Sequence, residues 1–320
     1  MIIVILEPQD YSRAAIKTYR SLGVVYFWPA LKGRKKRLVE KTADILVVRL
    51  KYQLDRTFLA RFPKLRMIAT PTTGLNHIDL EEARDRYIEI ISLRGHTSFL
   101  SQIPSTAEET MGLIFDLMRN LPWAFEDVKA GYWRRDLWKG HQLLGKTIGF
   151  FGCGRLAKIV ARYAQAFGMR AIGYDPYVSK RDLARAGIEK VGLSYLLRHA
   201  DIVSLHVLLT DKTHNLMQEK HFKMMKRAAY FVNTARAEIV AHDALVTALK
   251  RKWIAGAAID VMWDERGDGS HLKHDPLWTY AKRHTNLIIV PHVGGATYEA
   301  MQVTEDFIAD LCKRYIRRNA

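Results

Sequence analysis

Cysteine is almost missing from this sequence. Only Cys153 and Cys312 occur among 320 residues. Two cysteines exclude a disulfide framework and a cysteine-rich zinc site, and they fit a reducing cytoplasm. No apolar run approaches the roughly 18 residues a membrane helix needs. The opening stretch MIIVILEPQD has one short apolar run and no basic start, so no signal peptide is expected. Repeats, low-complexity tracts and Gly/Ser linkers are absent. Acidic residues are also in deficit, 33 against 50 basic, which leaves a net charge of +17. Such a surface attracts anions. The charge is scattered in short clusters such as KGRKKR (32–37) and CKRYIRR (312–318), with no zinc-finger or RNA-binding pattern beside them. We therefore expect solvated helix faces and no nucleic-acid partner.

What is present is an alternation of short apolar runs with helical patterns. IIVIL (2–6), ILVV (45–48), RMIAT (66–70) and IEIIS (88–92) form one series of expected strands. TIGFF (147–151), RAIGY (170–174), DIVSLH (201–206), AYFVN (229–233), IAGAAI (254–259) and NLIIV (286–290) form a second. Continuous apolar strands separated by helices imply parallel sheets covered on both faces, hence an α/β fold with two doubly wound units. A long helical stretch lies between the series at 104–133, where Ser105 and Glu108 read as a capping box. Another runs from about Tyr298 to Arg318.

The stretch GFFGCGRLA (149–157) follows the strand TIGFF and opens a helix. Gly152 permits a tight turn, Gly154 lets the backbone approach a pyrophosphate, and Ala157 allows close helix–strand packing. Asp175 ends the next strand 21 residues after Gly154, the spacing of an acid that binds the ribose hydroxyls of NAD. The same carboxylate would repel the 2′-phosphate of NADP.

From here the sequence resembles the D-isomer-specific 2-hydroxyacid dehydrogenases, the family of D-lactate and phosphoglycerate dehydrogenases. The resemblance rests on TTGLNHIDL (72–80), LLGKTIGFFGCGRLA (143–157), YDP (174–176), ADIVSLHV (200–207), FVNTARAEIV (231–240), AGAAIDV (255–261) and VPHVGGAT (290–297), in that order. It implies a flavodoxin-like substrate domain over 1–101, completed by 293–320. An NAD-binding Rossmann domain over 102–292 would be inserted in it, with the site in the cleft between them and a homodimer as the assembly.

Reduction of a 2-keto acid needs a cation for the carboxylate, a proton donor for the carbonyl oxygen and a group that orients the donor. The resemblance assigns these roles to Arg236, His292 and Glu265. Arg236 offers a planar fork that matches a carboxylate, and histidine changes charge near neutral pH. A carboxylate on the second ring nitrogen would favour the charged imidazole. Asp264 is an adjacent alternative to Glu265, and Arg266 stands where the family has proline. The resemblance also implies cofactor contacts from Gly152, Gly154, Arg155, Leu156, Asp175, His206, Val207, Thr234, Ala235, Arg236, Asp260, His292, Gly294 and Gly295. Thr73, Gly74 and Leu75 would accept the substrate carboxylate, and Arg49 would meet a phosphate or second carboxylate. No metal ligand set is expected. The segment 94–104, longer than the family's turn, is expected to shape the pocket. A rival reading keeps the fold but makes the chain an NAD-sensing scaffold, similar to corepressors, without turnover.

Overall fold

The computed structural model describes residues 1–319. The described residues form two compact units: 1–103 with 296–319, and 104–295.

The first unit is built on a five-stranded, all-parallel sheet. Its strands are β1 (Ile2–Ile5), β2 (Val24–Phe27), β3 (Ile45–Val47), β4 (Met67–Thr70) and β5 (Glu89–Ser92), in the order β2-β1-β3-β4-β5. β1, β3 and β4 are buried throughout apart from Ile2, which is why they read as continuous apolar runs without alternation. The order reverses between β1 and β3, the flavodoxin-like switch point. One face packs Ile3, Ile5, Ile45, Val47, Met67 and Ala69 against Tyr11 and Tyr19 and against Ile308, Ala309 and Cys312 of the helix Tyr298–Arg318. The other face is closed by Trp28, Leu54, Leu59 and Phe62. Segment 94–104 forms a short helix, Thr97–Leu100. Phe99 stacks on Phe307 at 3.8 Å, and His96 meets the same ring edge-on at 5.0 Å. The segment is thus braced on the long C-terminal helix.

The second unit holds a seven-stranded parallel sheet: β6 (Thr147–Phe151), β7 (Arg170–Tyr174), β8 (Glu189–Lys190), β9 (Ile202–Leu205), β10 (Tyr230–Asn233), β11 (Gly256–Ile259) and β12 (Leu287–Ile289). Its order, β12-β11-β10-β9-β6-β7-β8, is that of a Rossmann sheet with the switch point between β6 and β9. The helix Arg155–Ala166 buries Ala157, Val160, Ala161 and Ala164 against it. Small side chains there allow the close helix–strand approach a tight glycine turn demands.

Three local features differ from the sequence reading. The edge strand β2 and the two-residue β8 were not anticipated. The helical stretch 104–133 is two helices, Ser105–Arg119 and Leu121–Lys129, broken at Asn120, whose φ of 55° is left-handed. No capping box forms at Ser105. Pro104 is the cap residue, and the Ser105 hydroxyl instead donates to Gly294 O at 2.6 Å.

Candidate active site

The second unit gathers its site residues at the carboxyl ends of β6, β7, β9, β10, β11 and β12. Gly152 follows β6 with φ +87°, and a Cβ there would lie 2.7 Å from Val207 Cγ1 and 2.8 Å from the carbonyl of His206. Only glycine fits, and the turn seats His206 and Val207 against it. Gly154 is different. It is exposed, and a Cβ on it would meet nothing within 4 Å. It is the N-cap residue of the helix Arg155–Ala166 and has no side chain to satisfy the first-turn N–H groups. An uncapped, open helix N-terminus fits a phosphate, which both the free N–H groups and the helix dipole favour. Arg155 and Leu156, both half-buried, form its first turn.

Asp175, past the end of β7, accepts from Cys153 N at 2.9 Å through Oδ2. Its Oδ1 accepts from Tyr177 N at 2.8 Å and Val178 N at 3.2 Å. The acid therefore braces the glycine turn, and Oδ2, which accepts one bond, keeps acceptor capacity for a hydroxyl. Cys153 is buried, and its thiol is pushed up to about 12 by burial and by Asp175. That makes it an inert filler of the turn. His206, at the end of β9, packs its ring 5.7 Å from Phe150, with Nε2 2.8 Å from Ser204 Oγ. Burial pushes it down to about 4, so at neutral pH the ring is uncharged.

The loop after β10 carries Thr234, Ala235 and Arg236. Asn233, which the sequence reading passed over, shapes it: Oδ1 accepts from Ala235 N at 3.0 Å, and Nδ2 donates to Arg236 O at 3.0 Å. Thr234 Oγ1 lies 2.8 Å from Thr110 Oγ1. The Arg236 guanidinium donates to Ala235 O at 2.7 Å. Burial lowers its pKa, opposed by the charges of Glu265, Glu238 and Asp260. A half-buried guanidinium just past a strand end is suited to a small organic anion.

His292 follows β12. Its φ is +54°, an uncommon conformation for a residue with a side chain. The surroundings fix it. Asp260, at the end of β11 and 1% exposed, accepts from Val293 N at 2.6 Å and from Gly294 N at 3.0 Å. Ser105 holds the far side of the turn through Gly294 O. A Cβ on Gly294 would lie 2.5 Å from Glu109 Oε2, so any side chain there would have to displace that carboxyl. Gly295 is open and exposed.

His292 Nδ1 sits 2.6 Å from Glu265 Oε2, and Glu265 Oε1 accepts from Met262 N at 2.8 Å. Burial would raise the Glu265 carboxyl. The hydrogen bond and charge of His292, the Met262 N–H and the charge of Arg236 outweigh it and bring its pKa below the usual value. Glu265 is thus an ionised carboxylate held against one imidazole nitrogen. Asp264, its neighbour, has φ +52°, and the hydrogen bond to His292 comes from Glu265.

In the first unit, Arg49 follows β3 at the switch point. Its Nε donates to Glu305 Oε1 at 2.8 Å, its Nη2 pairs with the same oxygen, and its Nη1 donates to Gln9 O at 3.0 Å. The guanidinium also lies 5.0 Å from the ring of Tyr11. Thr73, Gly74 and Leu75 lie in the loop after β4, where Thr72 Oγ1 bonds Gly74 O at 2.8 Å. Thr73 is exposed, and Gly74 and Leu75 are half-buried. Among the described residues, no cluster of His, Cys, Asp or Glu could hold a metal ion, and no helix is long and apolar enough to cross a membrane.

Residues 111–294 match the model of the D-isomer specific 2-hydroxyacid dehydrogenase, NAD binding domain. The chain belongs to this family. It is 36% identical over 318 residues to a D-3-phosphoglycerate dehydrogenase of Methanocaldococcus jannaschii, covering 98% of this chain but 58% of that relative. It is 33% identical to a glyoxylate reductase of Thermococcus litoralis, covering 85% of this chain and 81% of the relative. A D-lactate dehydrogenase of Aquifex aeolicus, solved with NAD and lactic acid, superposes with a TM-score of 0.82 at 26% identity over 99% of this chain and 96% of that one. The cofactor of the family is NAD, and the dehydrogenase reading is favoured over a non-catalytic scaffold.

Proposed function

We propose that this chain interconverts a small D-2-hydroxy acid and its 2-keto acid, and that the Glu265–His292 bond is the working pair. That 2.6 Å contact carries the reading. With Nδ1 engaged by an ionised carboxylate, Nε2 is the nitrogen left to give a proton to the carbonyl oxygen. In reduction, the hydride for carbon 2 would come from NADH held by the cofactor residues below. Arg236 holds the substrate carboxylate, fixing the plane of the keto group. His292 delivers its Nε2 proton to the oxygen and is left neutral. Glu265 keeps the ring in one tautomer and takes no proton itself.

The cofactor would lie along Gly152, Gly154, Arg155 and Leu156, with its ribose hydroxyls on Asp175. His206, Val207, Thr234, Ala235, Asp260, Gly294 and Gly295 would line the remainder. In the first unit we assign Thr73, Gly74 and Leu75 to the substrate carboxylate and Arg49 to a second anionic group. Residues 1–101 with 293–320 would act as the substrate domain, and 102–292 as the cofactor domain. We further propose a cytoplasmic homodimer.

The test is NADH oxidation with glyoxylate, pyruvate, hydroxypyruvate, phosphohydroxypyruvate and a sugar 2-keto acid, on the protein and on His292→Ala. Turnover by the protein that the variant loses supports the reading. Equal rates from both would overturn the role of His292. NADH binding without turnover of any panel member would favour the scaffold.

A further inference from the structure

Glu109 has no place in the roles above, yet it reaches the centre of the site. It projects from the helix Ser105–Arg119 to the turn that carries His292, where a Cβ on Gly294 would lie 2.5 Å from its Oε2 and 3.1 Å from Asp260 Oδ2. Ser105 and Thr110 of the same helix hold the loops after β12 and β10. Both Glu109 oxygens are buried, and no donor reaches either one. The group beside them is Asp260, which is already an acceptor for two backbone N–H groups.

Two carboxylates cannot satisfy each other, because each only accepts. A single proton between them supplies the missing donor and removes the like-charge repulsion. We infer that Glu109 is a proton-carrying positioning residue: its O–H donates to Asp260 at neutral pH, and its ionisation at higher pH adds a negative charge that favours the oxidised over the reduced cofactor.

The inference rests on the proposed reading in one respect, that the nicotinamide end lies near Asp260. The oxidised ring carries a positive charge and the reduced ring does not, so the charge state of the carboxyl pair must discriminate between them. Burial first, then the charge and hydrogen bond of Asp260, raises Glu109 to about 8. Asp260 is raised in its turn, again chiefly by burial. The other charged groups that act on the pair are His292 on the turn after β12 and Arg236 on the loop after β10, both through Asp260. Titration of Glu109 releases its proton to solvent and involves no other reactant.

The experiment is equilibrium binding of NAD+ and of NADH, each from pH 6.5 to 9.5, by calorimetry and fluorescence, on the protein and on Glu109→Gln. The affinity ratio of NAD+ to NADH should rise about tenfold in the protein across this range, the scale of one unit of pKa coupling. It should stay flat in the variant, whose amide donates permanently to Asp260. A flat ratio in the protein, or an unchanged rise in Glu109→Gln, overturns the inference while leaving the dehydrogenase reading intact. Failure to bind either cofactor form overturns both. Should the variant not fold, infrared spectra of the unaltered protein decide. A protonated carboxyl band must be present at pH 7 and lost by pH 9.5, and its absence at pH 7 is fatal to the inference.

Discussion

Glu265 Oε2 stands 2.6 Å from His292 Nδ1 while Glu265 Oε1 is anchored by the Met262 N–H. One carboxylate thus both aims the ring and is itself aimed. Glu265→Gln keeps the shape and removes the charge. We expect kcat/KM to fall about 10²-fold, within the range acid–base assistance supplies. NADH affinity should be unchanged. Steady-state rates, with a fluorescence titration of NADH, check both, and a wild-type rate in the variant would refute the pairing.

The two glycines of the turn should respond in opposite ways. Gly152→Ala forces a side chain onto left-handed backbone and into Val207 and the His206 carbonyl. It should lower the melting temperature by several degrees, on the order of 1–3 kcal/mol of strain. Gly154→Ala meets nothing within 4 Å and has φ −74°, so its melting temperature should hold. Its NADH dissociation constant should nonetheless rise at least about tenfold, since a methyl group would stand where the pyrophosphate has to approach. Calorimetric melting with NADH titration separates the effects, and loss of stability in both variants would refute the distinction.

Arg49 and Glu305 form a pair whose acid is 1% exposed. Burial raises the Glu305 carboxyl, opposed by the Ser12 N–H and by Arg49. Arg49→Met leaves that acid unpaired and should cost about 3 kcal/mol. Arg49→Met with Glu305→Gln should recover most of it. Urea unfolding of the three proteins measures this. If Arg49 also binds a second anion on the substrate, the double variant should regain stability but not the KM for phosphohydroxypyruvate.

His206 sets an acid limit on stability. Its native value of about 4 lies below the ordinary 6.5. The unfolded chain therefore binds the proton first, and stability present above pH 6.5 is lost as pH falls toward 4. His206→Gln should flatten that slope between pH 7 and 4.5. Thermal melts across this range check it, and parallel curves for the two proteins would show that the ring does not titrate on unfolding.

Strand ends and glycine turns could be read from the sequence because they depend on local runs. β1, β3 and β4 are buried on both faces, so their composition gives them away. The half-exposed edge strand β2 and the two-residue β8 leave little trace, since each pairs along one side only. Arg236, Glu265 and His292 are proposed from motifs; Arg236 and His292 lie in the loops just after β10 and β12, and Glu265 lies further along the loop after β11. Glu109 was invisible for a physical reason. Helical periodicity marks the apolar face of 105–119, but whether an acid beside that face meets water or another acid depends on Asp260, 151 residues later. Ser105 misled for the same reason: its hydroxyl has a distant carbonyl to serve, so it does not cap its own helix.

The helix Tyr298–Arg318 has a consequence for synthesis. It supplies Ile308, Ala309 and Cys312 to the apolar face of the first sheet, yet it leaves the ribosome after the whole of residues 104–295. During that interval Ile3, Ile5, Ile45, Val47 and Met67 have no cover from it, while the second unit can already fold. The nascent first unit must wait, with a sticky face open, for the helix Tyr298–Arg318 to arrive. A stalled or truncated chain would consequently be an aggregation hazard with an intact nucleotide-binding half.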